Sequence, residues 1–265
     1  LGNTAGGLPF TVLIDAQAPE FLPDWMSFVR GVVDSEDLPL NISRETMQDS
    51  ALVRKLGDVI AGRVLKLLEQ QGAEEPEKYT AFYKDFARFI KEGVANDFRH
   101  RDSLAKLLRF ESSLQDAGTL TGLADYVSRM KDGQDAIYYQ IAPNRAAIEA
   151  GPYLEAFKAR GLEVLFAYEP LDDYVFSSLR EFDGKKLVAV TREDVKLDDS
   201  PVDSTESPLP QDEVDALCSW LKESLGAAVT DVAGSARLVE APVLALTPEH
   251  APTAQMRAMM RAMQQ

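Results

Sequence analysis

The chain has 265 residues, 45% hydrophobic and 27% charged, which is enough to bury cores and excludes a disordered or fibrous polymer. Its 43 acidic against 28 basic residues leave a formal net charge of −15, which argues against a nucleic-acid partner needing a basic face for its phosphates. The single cysteine, Cys218, cannot form an internal disulfide and points to a reducing compartment, and no apolar run approaches the roughly 20 residues of a membrane span.

The length predicts about two domains. The N-terminus, Leu1-Gly2-Asn3-Thr4, has neither an initiator methionine nor a signal-peptide pattern, and a piece of a longer chain is expected. Phe10 to Ile14 (FTVLI) reads as a strand and Asp15 to Pro19 as a loop. Phe28 to Val33 (FVRGVV) is a second strand-like run, interrupted by Gly31. After the polar turn Asp34-Ser35-Glu36-Asp37, Leu52, Leu56, Val59, Ile60 and Leu67 keep the i, i+4, i+7 spacing of one buried stripe. They predict a helix from about Glu45 to Glu69, broken at Gly72 to Pro76.

A second helix, about Pro76 to Glu92, sets Tyr79, Phe82, Tyr83, Phe86, Phe89 and Ile90 on one face. This stripe is either a ligand groove or a packed helix–helix core, and its regular period favours packing. Shorter helices are expected at Ser103–Leu108 and Leu120–Met130. From Ala136 strands and helices alternate: strands at Ala136–Ile141, Leu162–Ala167 and Lys186–Val190, helices at Asn144–Ala150, Tyr153–Ala159 and Leu171–Arg180. Such alternation predicts a small parallel or mixed sheet flanked by helices. Asp198 to Pro210 (DDSPVDSTESPLP) reads as a linker. A helix at Glu213–Leu225, a strand pair near Val229 and Leu238, and a terminal helix at Thr253–Gln264 complete the expected elements.

The chemical inventory is thin. Two histidines, His100 and His250, and one cysteine stand at no metal-ligand spacing, so no metal site is expected. There is no GxSxG elbow, no GxGxxG after a strand and no GxxxxGK[ST] loop. Cys218 lies in an apolar helical pattern with Val214, Leu217 and Leu221 and reads as packing rather than a reactive thiol.

Asp34 to Gln48 is less bland. Ser43 or Asn41 can cap the following helix, and Glu45 suits the positive end of its dipole. Arg44 does not suit that end. Exposed backbone N–H groups beside a guanidinium are what an anion or phosphate site needs, and Gln48, at i+4, reaches the same ligand. The alternative is a surface arginine paired with Glu36 or Asp37.

GVVDSEDLPLNISRE (Gly31–Glu45) resembles the hallmark of the ninety-kilodalton heat-shock protein chaperone family, in its bacterial type or the similar mitochondrial paralogue. FYKDFARFIKEGVANDFRHRDSLAKLLRFESS (Phe82–Ser113), LADYVSRMKDGQDAIYY (Leu123–Tyr139), APNRAAIEAGPYLEAFKARGLEVLF (Ala142–Phe166) and DDYVFSSLREFDGKKLVAV (Asp172–Val190) follow in the family's order. Between FTVLI and FLPDWMSFVRG the family usually has a longer stretch with another strand and a basic loop, so the first sheet is incomplete and contacts of that loop are not assigned.

The resemblance implies an α/β fold: a middle domain of two α/β sandwich units joined by a helical segment, then a small α/β C-terminal unit. The implied boundaries are 1–75 for the large α/β part, 76–131 for the helical connector, 132–200 for the small α/β part, 201–212 for the linker and 213–265 for the start of the C-terminal domain. It implies that Arg44 reaches the γ-phosphate of ATP, bound with magnesium by an N-terminal domain that these residues do not include. Gln48 and Asn41 match the same catalytic loop. The general-base carboxylate belongs to that other domain, so no cofactor is expected on this part alone and no ATP hydrolysis by it.

Unfolded or partly folded client proteins are the implied partners. Met256, Met259, Met260 and Met263 form an i, i+3, i+4, i+7 stripe beside Arg257 and Arg261, readable as a core face, a dimer contact or an adaptable apolar surface. In the bacterial type Met256, Met259 and Met260 fall on client-contacting positions. Asp173 and Tyr174 match an acidic–aromatic pair that also faces clients, with Tyr standing where the bacterial pattern has Trp. Homodimerisation through further C-terminal helices, no nucleic acid, no membrane, and a cytoplasmic or mitochondrial-matrix location complete the expectation. The competing readings are a small-molecule transferase built near Tyr138 and Leu162, and a passive scaffold in which Arg44 does nothing.

Overall fold

The computed structural model describes residues 21–33, 50–195, 197, 209–235, 237–248, 251, 257 and 260–261. The expected strand at Phe10–Ile14, the segment carrying Asn41, Arg44 and Gln48, and all but the last two residues of the linker lie outside these. The chain is mixed α/β and divides into two compact units, Leu1–Gly93 with Asp97–Leu107, and Val94–Asn96 with Leu108–Gln265.

The first unit is helical where described. A 3-10 turn at Asp24–Met26 precedes α1 (Ser50–Glu74), α2 (Pro76–Asn96) and α3 (Arg101–Ala105). The inner stripe of α1 is not the one expected. Val53, Ala61, Leu65 and Leu68 are buried together with Gly57, whereas Val59 is 48% and Leu67 61% exposed. Gly57 and Ala61 occupy the middle of the inner face, so a period read from large apolar side chains points one position to the side. Gly57 lies there because the Phe21 backbone carbonyl occupies the space of a β-carbon. The helix also runs past Gly72 to Glu74, and only Glu75 separates it from Pro76, which opens α2 at a position needing no N–H partner.

On α2, Tyr79, Tyr83 and Ile90 are buried, and the Tyr79 hydroxyl donates to Leu107 O at 2.6 Å. Phe82, Phe86 and Phe89 are half-buried around Phe28, with ring centroids 5.8, 5.1 and 5.4 Å from it. This favours the packing reading of the stripe over a groove. It also corrects the strand expected at Phe28–Val33. Phe28 turns into the aromatic group, no ladder forms among the described residues, and Val32 is 86% exposed.

The second unit contains β1 (Arg109–Ser112), β2 (Thr121–Gly122), α4 (Leu123–Ser128), β3 (Ala136–Ile141), α5 (Arg145–Glu149) and α6 (Glu155–Ala159). Then come β4 (Val164–Ala167), α7 (Pro170–Leu179), β5 (Glu181–Phe182), β6 (Lys185–Ala189) and α8 (Gln211–Leu225). The strands form one six-stranded mixed sheet in the order β2-β1-β4-β3-β6-β5. The central β3 runs parallel to both neighbours, Tyr138 opposite Val164 and Val188, and the outer pairings are antiparallel.

Helices cover both faces, so β3 and β4 are almost wholly buried, as parallel strands require. One face sets Tyr138 and Phe166 against Ile148, Leu154 and Phe157. On the other, Tyr139 stacks on Phe176 of α7 at 3.9 Å, and Phe110 of β1 meets the same ring at 5.1 Å. Asp183 and Gly184, with φ of 50° and 71°, turn β5 into β6 as a tight hairpin.

The strand pair expected near Val229 and Leu238 is not formed among the described residues. The chain there is held instead by side chains and by one isolated parallel bridge, Arg192 to Thr247. Of the terminal helix, Arg257, Met260 and Arg261 are described and helical.

Candidate functional site

Asn41, Arg44 and Gln48 fall between the described residues Val33 and Ser50, and further out on each side Trp25 and Asp58 are tied to the end of α2. The Trp25 indole donates to Asp97 Oδ2 at 2.9 Å, and His100 Nδ1 meets the same oxygen at 2.8 Å. Asp97 Oδ1 accepts the backbone N–H groups of Arg99 and His100 at 3.0 and 3.1 Å. Burial alone would raise the Asp97 pKa, but the hydrogen bonds from Trp25 and His100 outweigh it and hold the carboxyl below its ordinary range. Arg99 also reaches back to Asp58 of α1. His100 therefore closes a structural knot at the end of α2, where its sequence position shows no ligand spacing.

The second set of expected residues lies at the start of α7. Pro170 occupies the first turn, and Asp172 Oδ2 accepts the N–H groups of Tyr168 and Glu169 at 3.2 and 3.0 Å, fixing the helix start. Asp173 and Tyr174 are adjacent but face different surroundings. Asp173 is 2% exposed, and its charge, after burial, helps push the Tyr139 hydroxyl up to about 12. Tyr174 is 41% exposed, so the aromatic ring is the accessible member of the pair.

Of the methionine stripe, Met260 is 52% exposed beside Arg261, and Met256 and Met259 lie outside the described residues. Helix α8 has no buried residue and exposes Leu217, Trp220 and Leu225, while Cys218 is half-buried. Sequence reading missed two polar centres in the sheet-bearing unit. Arg129 donates to both Glu163 oxygens at 3.0 and 2.8 Å and to Thr121 Oγ1 at 2.7 Å. Arg145 bridges Glu111, Glu149 and Gln115 O at 2.9, 2.7 and 2.9 Å. Glu163, Glu111 and Gln115 lie 34, 34 and 30 residues from their arginines, so no local spacing announces those contacts, although Arg145 and Glu149 are an i, i+4 pair. Among the described residues no group of three or more His, Cys, Asp or Glu side chains could hold a metal, and no helix is long and apolar enough to cross a membrane.

The described residues thus comprise a helical unit and a unit whose mixed sheet is covered by helices on both faces, with Tyr174 exposed on α7. The family model for the Hsp90 protein matches residues 11–265, and the chain belongs to the Hsp90 family. It is 50% identical over 253 residues to the chaperone protein HtpG of Desulfitobacterium hafniense, covering 95% of this chain and 41% of that protein. It is 44% identical over 236 residues to HtpG of Desulfotalea psychrophila (88% and 38%), and 42% identical over 252 residues to the mitochondrial heat shock protein 75 kDa of Bos taurus (92% and 36%). The chain thus spans about two fifths of the length of the curated relatives it matches.

Proposed function

We propose that these residues serve an ATP-dependent molecular chaperone as its middle domain and the start of its C-terminal domain, divided at the boundaries given above. Arg44 extends its guanidinium to the γ-phosphate of ATP, which is held with magnesium mainly by an N-terminal nucleotide-binding domain. Gln48 reaches the same phosphate from one turn on, and Asn41 sets the loop. A guanidinium there stabilises charge on the transferring phosphoryl group, while the general base comes from the other domain. The observation that carries this reading is the sequence phrase around Arg44, which sets a cation where a helix start is expected and electrostatics disfavours one unless an anion is present, within a chain of the Hsp90 family.

Unfolded or partly folded proteins are the proposed clients. Met256, Met259 and Met260 offer an adaptable apolar stripe, and Asp173 and Tyr174 form the second contact, of which Tyr174 offers the exposed ring. The whole protein is proposed to act as a homodimer in the cytoplasm or the mitochondrial matrix.

The test is steady-state ATP hydrolysis by the full-length parent, wild type against Arg44→Ala, with nucleotide affinity measured alongside. Turnover should collapse while ATP still binds. Unchanged turnover would remove Arg44 from the ATPase site and leave a client-binding scaffold.

A further inference from the structure

After α8 the chain returns to the sheet-bearing unit, and residues 237–247 are fastened there by side chains from separate elements. Arg237 is 7% exposed. Its guanidinium donates to Arg192 O at 2.6 Å and to Val190 O, both just past β6, and its Cζ lies 5.9 Å from the Phe157 ring centroid of α6. At the start of α6, Glu155 Oε2 accepts the backbone N–H groups of Glu240 and Ala241 at 3.0 and 3.1 Å. The Tyr153 hydroxyl donates to Ala245 O at 2.8 Å. Thr247 closes the far end, its N–H donating to Thr191 O at 2.8 Å and its carbonyl accepting Glu193 N–H at 3.1 Å.

Apart from Arg237, these contacts grip the segment by its backbone. Of its apolar side chains, Val243 is 62% exposed and Leu238, Val239, Leu244 and Leu246 are half-buried, none of them fully enclosed. The hydrogen bonds that hold the segment are thus all polar contacts to backbone groups, and their most buried member is the Arg237 guanidinium, which has no direct ion pair among the described residues. Among the described residues no carboxylate lies within ion-pairing distance of Arg237, its Nε has no hydrogen-bond partner, and the neighbouring Asp194 is engaged by Arg192 at 2.9 Å. Burial accordingly pulls the Arg237 pKa down. A guanidinium held by carbonyl dipoles and a ring face regains much of its hydration on leaving, which offsets part of the cost of detachment.

We propose that residues 237–247 form a releasable strap, locked by Arg237 into the turn after β6, which engages and detaches as one unit and so sets whether α8 moves with the six-stranded sheet. The proposal does not depend on the ATP-site reading. It concerns how motion in one part of the second unit reaches another.

The test is residue-resolved hydrogen exchange on the 265-residue chain, comparing wild type with Arg237→Met and Glu155→Ala. Glu155 touches the strap only at Glu240 and Ala241, yet its loss should raise exchange at Thr247 as well, by about tenfold, with β3 and β4 amides unchanged. Arg237→Met should give the same pattern. If this variant fails to fold, Glu155→Ala decides alone. Exchange rising only at Glu240 and Ala241 would show separate contacts rather than a unit. A parallel rise in β3 and β4 would make the segment part of the core, and no rise at all would remove these contacts as its fastening. Each of those results overturns the proposal.

Discussion

The carbonyl of Phe21 rests against Gly57 so closely that a β-carbon on α1 has no place to go. Because the obstacle is backbone, relief requires the 3-10 segment or the helix to shift.

Gly57→Ala is therefore expected to destabilise the chain by about 1–3 kcal/mol. Gly62, on the same helix, faces open space, and Gly62→Ala should gain about 0.5–1 kcal/mol from helix propensity. Urea midpoints of the two variants should move in opposite directions. Matching midpoints would reject the close-approach argument.

Asp97 makes stability depend on acid. Its folded pKa lies below the ordinary carboxylate value, so its contribution is complete above that value and is lost as the pH falls through the depressed one. Acid unfolding followed by the buried Trp25 should be shallower between those limits in Asp97→Asn. An unaltered acid transition would show that the shared carboxylate contributes nothing.

Glu163 is 5% exposed at its side chain and is answered by Arg129. Arg129→Met leaves that carboxylate buried without its cation and should cost about 3–5 kcal/mol. Adding Glu163→Leu should recover most of the loss, readable in a double-mutant denaturation cycle. Additive losses would mean that the pair is not coupled.

Neighbouring positions on α7 should separate function from folding. Phe176→Ala removes the ring stacked on Tyr139 and should cost about 3–5 kcal/mol. Tyr174→Ala should change stability by no more than about 0.5 kcal/mol while weakening the binding of an unfolded model client. Full client affinity in Tyr174→Ala would remove α7 from the client surface.

How much of this was readable beforehand depended on where the partners lie in the chain. The buried runs AIYYQI and LEVLFA announced β3 and β4 because both faces are apolar. RFES did not announce β1, since Arg109 and Glu111 occupy its outward positions and only Phe110 and Ser112 turn inward. The helix α1 was legible as a helix but not as to its buried side, because Gly57 and Ala61 carry no apolar weight in a periodicity count. At the candidate site, Tyr174 could be placed by resemblance, but the burial of Asp173 one residue earlier depends on the rotation of α7 over the sheet. Arg237 was invisible, because it meets carbonyls about 45 residues earlier in the chain instead of a charged neighbour at helical spacing.

The order of the strands also governs how this unit can be made. A ribosome delivers β1 long before β4, its partner at Glu111 and Ser112, and β3 remains flanked by nothing until β4 and then β6 have emerged. The sheet cannot close progressively as it is synthesised, and its most apolar strands wait unpaired in the meantime. A chain of a chaperone family thus passes, at its own birth, through the exposed and sticky condition that chaperones exist to manage.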